Sequence, residues 1–237
     1  MLIYILIVAF IHLLITSPSL IYHKFYDIYY RLTANALCQT VLKDKKVVVF
    51  VHGRGGHYSN FIPLINNLKY KIPQDYHLKP ICLGNNKHTS VDDDVYNLQI
   101  ALQLYPDCEI TLIGLSKGGV VILRYITTIK DSRIKKAITI SSPLMGTRMT
   151  QLLSSESITN KELGFRSELS KDLEMSNINV PIYHVVPRWD HVINPTSSAA
   201  YPNTPQSNIY YYNGTYSHTG IIYSNDVANT IASWLII

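Results

Sequence analysis

The chain has 237 residues, of which 47% are hydrophobic and 16% are charged. A chain of this length suits one α/β domain with a core on both faces of a sheet. Its net charge is +5, and the basic residues are scattered rather than gathered in a stripe, so we expect no nucleic-acid partner. An anionic membrane surface fits this modest positive charge better.

Three cysteines, Cys38, Cys82 and Cys108, are far apart in the sequence. Their odd number and wide spacing favour neither a disulfide framework nor a set of metal ligands, and we expect buried free thiols. The sequence implies no metal and no organic cofactor. It gives no indication of an oligomeric state.

The N-terminal segment, residues 1–22, begins with an almost uninterrupted apolar run that predicts an apolar helix. A helix over residues 2–15 covers only about 22 Å, so a span of the hydrocarbon core, about 30 Å thick, would also need residues 17–22. A membrane anchor and a cleaved signal peptide both fit, and a buried helix is a third interpretation. We expect a membrane-anchored or secreted protein, with residues 23–45 as a connecting segment.

The predicted α/β domain, residues 46–237, opens with a buried strand over residues 47–51 that ends in a glycine-rich turn. A helix with apolar residues at helical spacing follows, and Ser59 or Asn60 is its expected cap. The segment "YHLKPICL" predicts the next strand. The segment "SVDDDVYNLQIALQLY" then predicts an amphipathic helix with three acidic residues in its first turn, where the helix dipole favours them.

The second half of the domain continues this alternation. The predicted strands are "CEITLIGL", "IKKAITIS", "VPIYHVV" and "NIYYYN", and the predicted helices are "SKGGVVILRYITTIK" and a final one capped by Ser224 or Asn225. Residues 144–179 contain no strand pattern and predict a short helical cap. Such alternation predicts a mostly parallel sheet with helices on both faces, in which ligands bind beyond the carboxyl ends of the strands.

Residues 114–118 follow the pattern Gly-x-Ser-x-Gly and lie between a predicted strand and a predicted helix. A serine at such a corner is held in a strained backbone conformation, and the glycines let strand and helix approach closely. The hydroxyl of Ser116 then lies at the edge of the sheet, with the partial positive charge of a helix N-terminus behind it. We interpret Ser116 as a nucleophile, and a helix-capping serine is the alternative.

A serine nucleophile needs a histidine that takes its proton and an acid that orients the histidine. His218 follows the last predicted strand and precedes the last helix, so we expect it at the same edge of the sheet. Asp190 lies just beyond the strand "VPIYHVV", which gives the chain order Ser116, Asp190, His218. An ordinary loop histidine and a turn-forming aspartate are the alternatives, and we expect the neighbouring His191 to point elsewhere.

An oxyanion hole needs two N–H donors. The backbone of Lys117, directly after the nucleophile, is the first, and the turn "HGRGG" offers the second at Arg54. A glycine-rich turn can also hold a phosphate, but Gly53, Gly55 and Gly56 do not follow Gly-x-Gly-x-x-Gly. No ribose-binding acid follows at the right distance, so a dinucleotide site is the weaker interpretation.

The domain resembles a compact α/β-hydrolase of the lipase and esterase type, a group that includes deacylases acting on lipid anchors. The resemblance covers residues 46–237 and is carried by "VFVHGRGG", "TLIGLSKGG", "ITISSPLMGT", "RWDHVINP" and "YSHTGII". It implies an α/β-hydrolase fold with Ser116, Asp190 and His218 as the catalytic triad. The backbone N–H groups of Arg54 and Lys117 would form the oxyanion hole.

The same resemblance implies where substrate binds. The segment "SSPLMGT" is similar to one that lines the acyl pocket of such lipases, and we expect Gly53, Leu115, Pro143 and Leu144 to contact the substrate. Lys117 departs from the family pattern, in which Met or Gln more often follows the nucleophile.

A lysine in the first turn of a helix opposes the helix dipole by about 0.3–1 kcal/mol. A local rule broken beside a nucleophile indicates function. Our hypothesis is that Lys117 and Arg54 favour substrates with a negative group near the scissile ester, such as phospholipids. The alternative is that the Lys117 side chain extends into solvent.

These features predict a serine hydrolase that cleaves carboxylic esters of lipids or small molecules through an acyl-enzyme on Ser116. Thioesterases, acyltransferases and amidases use the same groups, and the fold does not distinguish them. The alternative from another class is a non-catalytic, membrane-tethered binding protein with the same fold.

Overall fold

The computed structural model describes residues 41–43, 45–152, 157–216 and 218–237. The predicted N-terminal segment, residues 1–22, lies outside these residues, as does most of the connecting segment 23–45. Within the described ranges, no helix combines the length and the apolar character needed to cross a membrane.

One sheet of six strands runs through the described chain. The strands are β1 (Lys46–Val51), β2 (Tyr76–Ile81), β3 (Glu109–Leu115), β4 (Ile134–Ile140), β5 (Ile182–Pro187) and β6 (Ile209–Tyr212). Their order in the sheet is β2-β1-β3-β4-β5-β6, and every neighbouring pair is parallel. The predicted parallel sheet is therefore confirmed, and the carboxyl ends of all six strands lie at one edge.

The helices of the described residues connect these strands. The α-helices are α1 (Ile62–Leu68), α2 (Val91–Leu102), α3 (Lys117–Ile129), α4 (Ile158–Glu162), α5 (Glu168–Met175) and α6 (Asn225–Ile236). Short 3-10 helices cover Tyr58–Phe61, Arg148–Leu152, Thr196–Ala199, Gln206–Asn208 and Gly220–Tyr223. Helices α4 and α5 lie between β4 and β5, in the span for which the sequence predicts a helical cap.

Both faces of the sheet are covered by helices, as predicted. Val47 and Val49 of β1 pack in one apolar cluster with α2 and α3, whereas Val48 and Phe50 pack in a second cluster with α1 and α6. Successive side chains of a strand point to opposite faces, so a strand buried on both faces is apolar throughout. This is why the β1 sequence shows no alternation of polar and apolar residues.

Two helix starts follow the sequence prediction. The hydroxyl of Ser90 accepts a hydrogen bond from the backbone of Asp93, and the Asp93 carboxylate accepts one from the backbone of Ser90, which forms a capping box at α2. At α6 the side chain of Ser224 accepts from the backbone of Val227. Polar caps thus fix where both helices begin.

Two local predictions are wrong. Neither Ser59 nor Asn60 caps a helix, because the chain first forms a 3-10 turn whose N-cap is His57, a ring nitrogen of which accepts from the backbone of Ser59. Cys82 is exposed rather than buried, because it follows β2 at the edge of the sheet; Cys108 is buried as expected.

Candidate active site

Ser116 occupies the corner between β3 and α3. Its backbone has φ 54° and ψ −124°, a conformation that costs energy for a residue with a side chain. The Ser116 N–H donates to the carbonyl of Ile140 at the end of the neighbouring strand β4, at 2.9 Å. The corner is therefore fixed on the sheet, with the serine at the carboxyl ends of the strands.

Three glycines around Ser116 allow the strand and helix to approach closely. A Cβ added to Gly114 would lie 2.5 Å from the carbonyl oxygen of Gly118, and one added to Gly118 would overlap the carbonyl oxygen of Val51. One added to Gly119 would overlap the hydroxyl of Ser142. Backbone atoms of β1, β3 and α3 thus meet at this corner, and no side chain fits between them.

We expect the substitution Gly118→Ala to lower the free energy of unfolding by about 1–3 kcal/mol or more, because backbone of β1 would have to move. The matched control is Gly220→Ala, since the nearest atoms to an added Cβ there lie at 3.7 Å, ordinary contact. Urea denaturation of both variants tests this. A loss at Gly118→Ala no larger than that of the control would show that the corner is not closely packed.

The structure brings Ser116, His218 and Asp190 together from three separate strand exits. The His218 Nε2 lies 2.9 Å from the Ser116 Oγ, and the His218 Nδ1 lies 2.9 Å from the Asp190 Oδ2. The imidazole is only 7% exposed and the carboxylate is fully buried. The three groups form one hydrogen-bonded chain in the order that a serine nucleophile requires.

Asp190 is held by backbone donors as well as by the imidazole. Its Oδ1 accepts from the backbone N–H groups of Val192 and Ile193, at 2.7 and 3.0 Å, which leaves Oδ2 to face His218. Burial by itself raises the pKa of the Asp190 carboxyl, but the bonds from His218 and the two N–H groups outweigh it, and the pKa lies below its usual value. The carboxyl is therefore ionised at neutral pH.

The other histidines near these strands have different surroundings. His191 is exposed, with its ring 6.2 Å from that of His218. His184 is buried in β5, where its ring nitrogens lie 2.7 and 3.2 Å from the hydroxyls of Thr139 and Thr204. Burial lowers the pKa of His184 to about 4, so this imidazole is neutral and holds strand β5 in place.

The turn after β1 lies directly beside Ser116. A Cβ added to Gly53 would lie 2.9 Å from the Ser116 Cβ and 3.5 Å from its Oγ, so the backbone of this turn borders the hydroxyl. Arg54 follows in the same turn, and Lys117 is the first residue of α3, where a backbone N–H has no intrahelical acceptor. The two backbone groups predicted as oxyanion donors thus belong to segments that flank the serine.

The side chain of Lys117 contradicts both interpretations made from the sequence. It is completely buried, and its Nζ lies 3.0 Å from the Oδ2 of Asp94, which is also buried. The ammonium therefore neither extends into solvent nor offers its charge to a substrate.

The side chain of Arg54 is also committed to protein groups. Its Nε donates to the carbonyl of Lys87 at 2.8 Å, and its Nη1 donates to the Oδ1 of Asn160 in α4 at 2.6 Å. The hypothesis of two cations that select anionic substrates loses its basis, because both charged groups bind elsewhere.

The predicted substrate-contacting residues have mixed surroundings. Gly53 borders the serine, as described, and Pro143 is buried. Leu115 and Leu144 are 2% and 0% exposed and belong to apolar clusters on opposite faces of the sheet. A contact of these four residues with substrate stays a prediction.

The sequence analysis missed Asp94 and its loop partner Asn86, whose Nδ2 donates to the Asp94 carboxylate at 3.3 Å. A signal was present, because Asp94 stands three residues after Val91 and four before Leu98, on the apolar face of α2. An acid on the buried face of a helix indicates a buried partner. Among the residues that the structure describes, no group of three or more His, Cys, Asp or Glu side chains is arranged to hold a metal ion.

Comparison with known families places the whole arrangement in context. The family model of palmitoyl protein thioesterases matches residues 47–218, from the first residues of β1 to the histidine beside Ser116. The chain belongs to the palmitoyl protein thioesterase family. No curated protein matches its sequence significantly.

Solved structures of lipases share the fold of this family member. Bacillus licheniformis lipase BlEst2 in its mature form is 14% identical, with 83% of this chain and 95% of that chain covered and a TM-score of 0.64. Paleococcus ferrophilus monoacylglycerol lipase is 18% identical, with 82% and 96% covered and a TM-score of 0.59. Such identities show the fold alone, and they confirm the predicted α/β-hydrolase of the lipase and esterase type.

Proposed function

We propose that the protein is a serine hydrolase that cleaves carboxylic esters of lipids through an acyl-enzyme on Ser116. The observation that carries the proposal is the chain of two 2.9 Å contacts that joins the hydroxyl of Ser116 through His218 to Asp190. A hydroxyl is a poor nucleophile until a base takes its proton, and this arrangement supplies the base. The strained corner presents the same hydroxyl to a substrate.

The first half of the reaction forms the acyl-enzyme. The Nε2 of His218 takes the proton of Ser116 as the Oγ bonds to the carbonyl carbon, and the carbonyl oxygen becomes an oxyanion. The backbone N–H groups of Lys117 and Arg54 donate to that oxyanion. His218 then gives its proton to the leaving alcohol as the ester C–O bond breaks.

The second half releases the acid. Water gives a proton to His218 and bonds to the acyl carbon, and the Ser116 Oγ leaves and takes the proton back. Throughout, the ionised carboxylate of Asp190 holds the imidazole in one orientation and stabilises its positive charge. A buried carboxylate is effective here because few waters screen it.

The lipid acyl group in this proposal rests on the family, whose name specifies a palmitoyl substrate. The neutral character of the site agrees with an uncharged acyl chain, because the ammonium of Lys117 is paired with Asp94 away from the serine. The membrane surface as a partner, and a membrane-anchored or secreted location, belong to the same proposal and rest on the apolar residues 1–22.

A thioesterase is the second candidate, and the family match favours it. The same groups serve a thioester, with a thiol as the leaving group. A non-catalytic binding protein is the third interpretation, and the assembled hydrogen-bonded chain disfavours it, because binding alone does not require a base aligned with a hydroxyl.

We expect a fluorophosphonate probe to label the wild-type protein and to leave Ser116→Ala unlabelled, because the probe bonds only to an activated hydroxyl. Ser233→Ala, which removes an exposed hydroxyl of α6, is the matched control and should label like the wild type. Gel fluorescence and peptide mapping measure this. Folded wild-type protein that takes no label would point to the binding protein instead.

A pair of substrates with the same palmitoyl group separates the two hydrolase candidates. We expect kcat/KM for a palmitoyl oxygen ester to equal or exceed that for the matching thioester, measured by release of alcohol or thiol. A preference for the thioester of tenfold or more, about 1.4 kcal/mol in transition-state stabilisation, would replace the first candidate with the second.

A further inference from the structure

The ion pair of Lys117 and Asp94 is unusual because both side chains are completely buried, 3.0 Å apart. Burial removes two charges from water, and a buried pair often stabilises a fold no better than apolar side chains of similar size. Stability alone is therefore a weak reason for a lysine directly after the candidate nucleophile. The neighbours of the pair indicate another role.

The pair holds the loop between β2 and α2 from two sides. The Nζ of Lys117 donates to the backbone carbonyl of Thr89 at 2.7 Å and to that of Asn86 at 3.4 Å. The carboxylate of Asp94 accepts from the Thr89 hydroxyl at 2.7 Å and from the Asn86 Nδ2 at 3.3 Å. Residues 86–89 are thus tied to the first turn of α3 and to the first turn of α2.

The side-chain amide of Asn86 passes this constraint to the turn beside Ser116. Its Nδ2 faces the Asp94 carboxylate, and its Oδ1 accepts from the backbone N–H of Gly55 at 2.8 Å. A flipped amide would place its oxygen against a carboxylate and its NH₂ group against an N–H donor, so both bonds would be lost. The charge of Asp94 therefore sets the direction in which Asn86 presents its acceptor.

Gly55 belongs to the turn that carries the proposed second oxyanion donor. It follows Arg54 directly and has φ +60°, and the Nε of Arg54 donates to the carbonyl of Lys87 in the same loop. The turn after β1 is thus attached to residues 86–87 at two points. Its position relative to the serine depends on where that loop lies.

We propose that the Lys117 side chain is a positioning residue, which acts through Asp94 and Asn86 to hold the turn at residues 53–56 in the geometry of an oxyanion hole. The inference rests on the proposed serine hydrolase function and adds to it. Lys117 then has two separate roles: its backbone N–H is an oxyanion donor, and its side chain places the other donor. The lysine charge itself does not face the substrate.

The expected consequence lies in the transition state. An oxyanion donor contributes where negative charge develops, so a displaced donor lowers kcat and leaves ground-state binding unchanged. Loss of one donor outright lowers kcat by about 10²–10³ fold. Because a loosened turn still offers its N–H part of the time, we expect a decrease of roughly 10–100 fold.

The test uses two variants of the full chain and a control. Asn86→Ala breaks the link to Gly55 while the ion pair keeps both charged partners, and Lys117→Met removes the cation. The control Arg133→Met breaks the ion pair of Arg133 with Asp131, 2.6 Å, which precedes β4 at the opposite edge of the sheet. All three lose polar contacts, but only the first two contacts lead to the turn.

Two measurements on folded protein are compared, the kcat and KM for a palmitoyl ester and the amide hydrogen exchange of peptides covering residues 53–57. We expect Asn86→Ala and Lys117→Met to lower kcat about 10–100 fold with KM within about twofold, and to speed exchange in this turn. Arg133→Met should change neither, whatever its melting temperature. If Lys117→Met does not fold, Asn86→Ala decides the question.

The outcomes separate this inference from the proposed function. Wild-type protein that cleaves no ester or thioester and takes no fluorophosphonate overturns the proposed function, and the inference with it. Active wild-type protein, with kcat and exchange in Asn86→Ala equal to those of Arg133→Met, overturns the inference alone. Faster exchange without a change in kcat contradicts the assignment of this turn to the oxyanion hole.

Discussion

The packing of backbone against backbone where β1, β3 and α3 meet determines the rest of this structure. Gly118 lies against the carbonyl of Val51, and this closeness forces Ser116 to turn with a positive φ. The energy of the strained residue comes from the surrounding sheet, whose two apolar clusters are buried on both faces. A hydroxyl is thereby exposed at a fixed point, and the exits of β5 and β6 bring an acid and a base to it.

Electrostatics around this corner follow from the pairing of charges rather than from their number. The first turn of α3 carries a lysine, yet the carboxylate of Asp94 lies against its ammonium in a site without water access. The positive groups that face the serine are therefore backbone N–H groups and the helix terminus. A site of this kind suits a neutral acyl carbonyl that becomes negative only in the transition state.

Much of this arrangement is predictable from the sequence, because parallel strands end at one edge. The pattern around Ser116, with Asp190 and His218 after later strands, therefore predicts their meeting in space, which the structure bears out at 2.9 Å for each contact. The surroundings of the lysine were not predicted. The side-chain partner of Lys117 is set by how α2 packs on α3, and three consecutive acids in α2 look alike in sequence.

Those three acids show why tertiary packing decides the outcome. Asp92 pairs with Arg124, Asp93 caps its own helix, and Asp94 turns inward to Lys117. Helical periodicity assigns the face of each residue but not its partner.

A crystal structure of the phosphonylated protein tests the central claim most directly. We expect the phosphorus bonded to the Ser116 Oγ and a phosphoryl oxygen about 2.7–3.1 Å from the backbone nitrogens of Lys117 and Arg54. Phosphorus on another residue, or an oxygen directed away from both nitrogens, would contradict it.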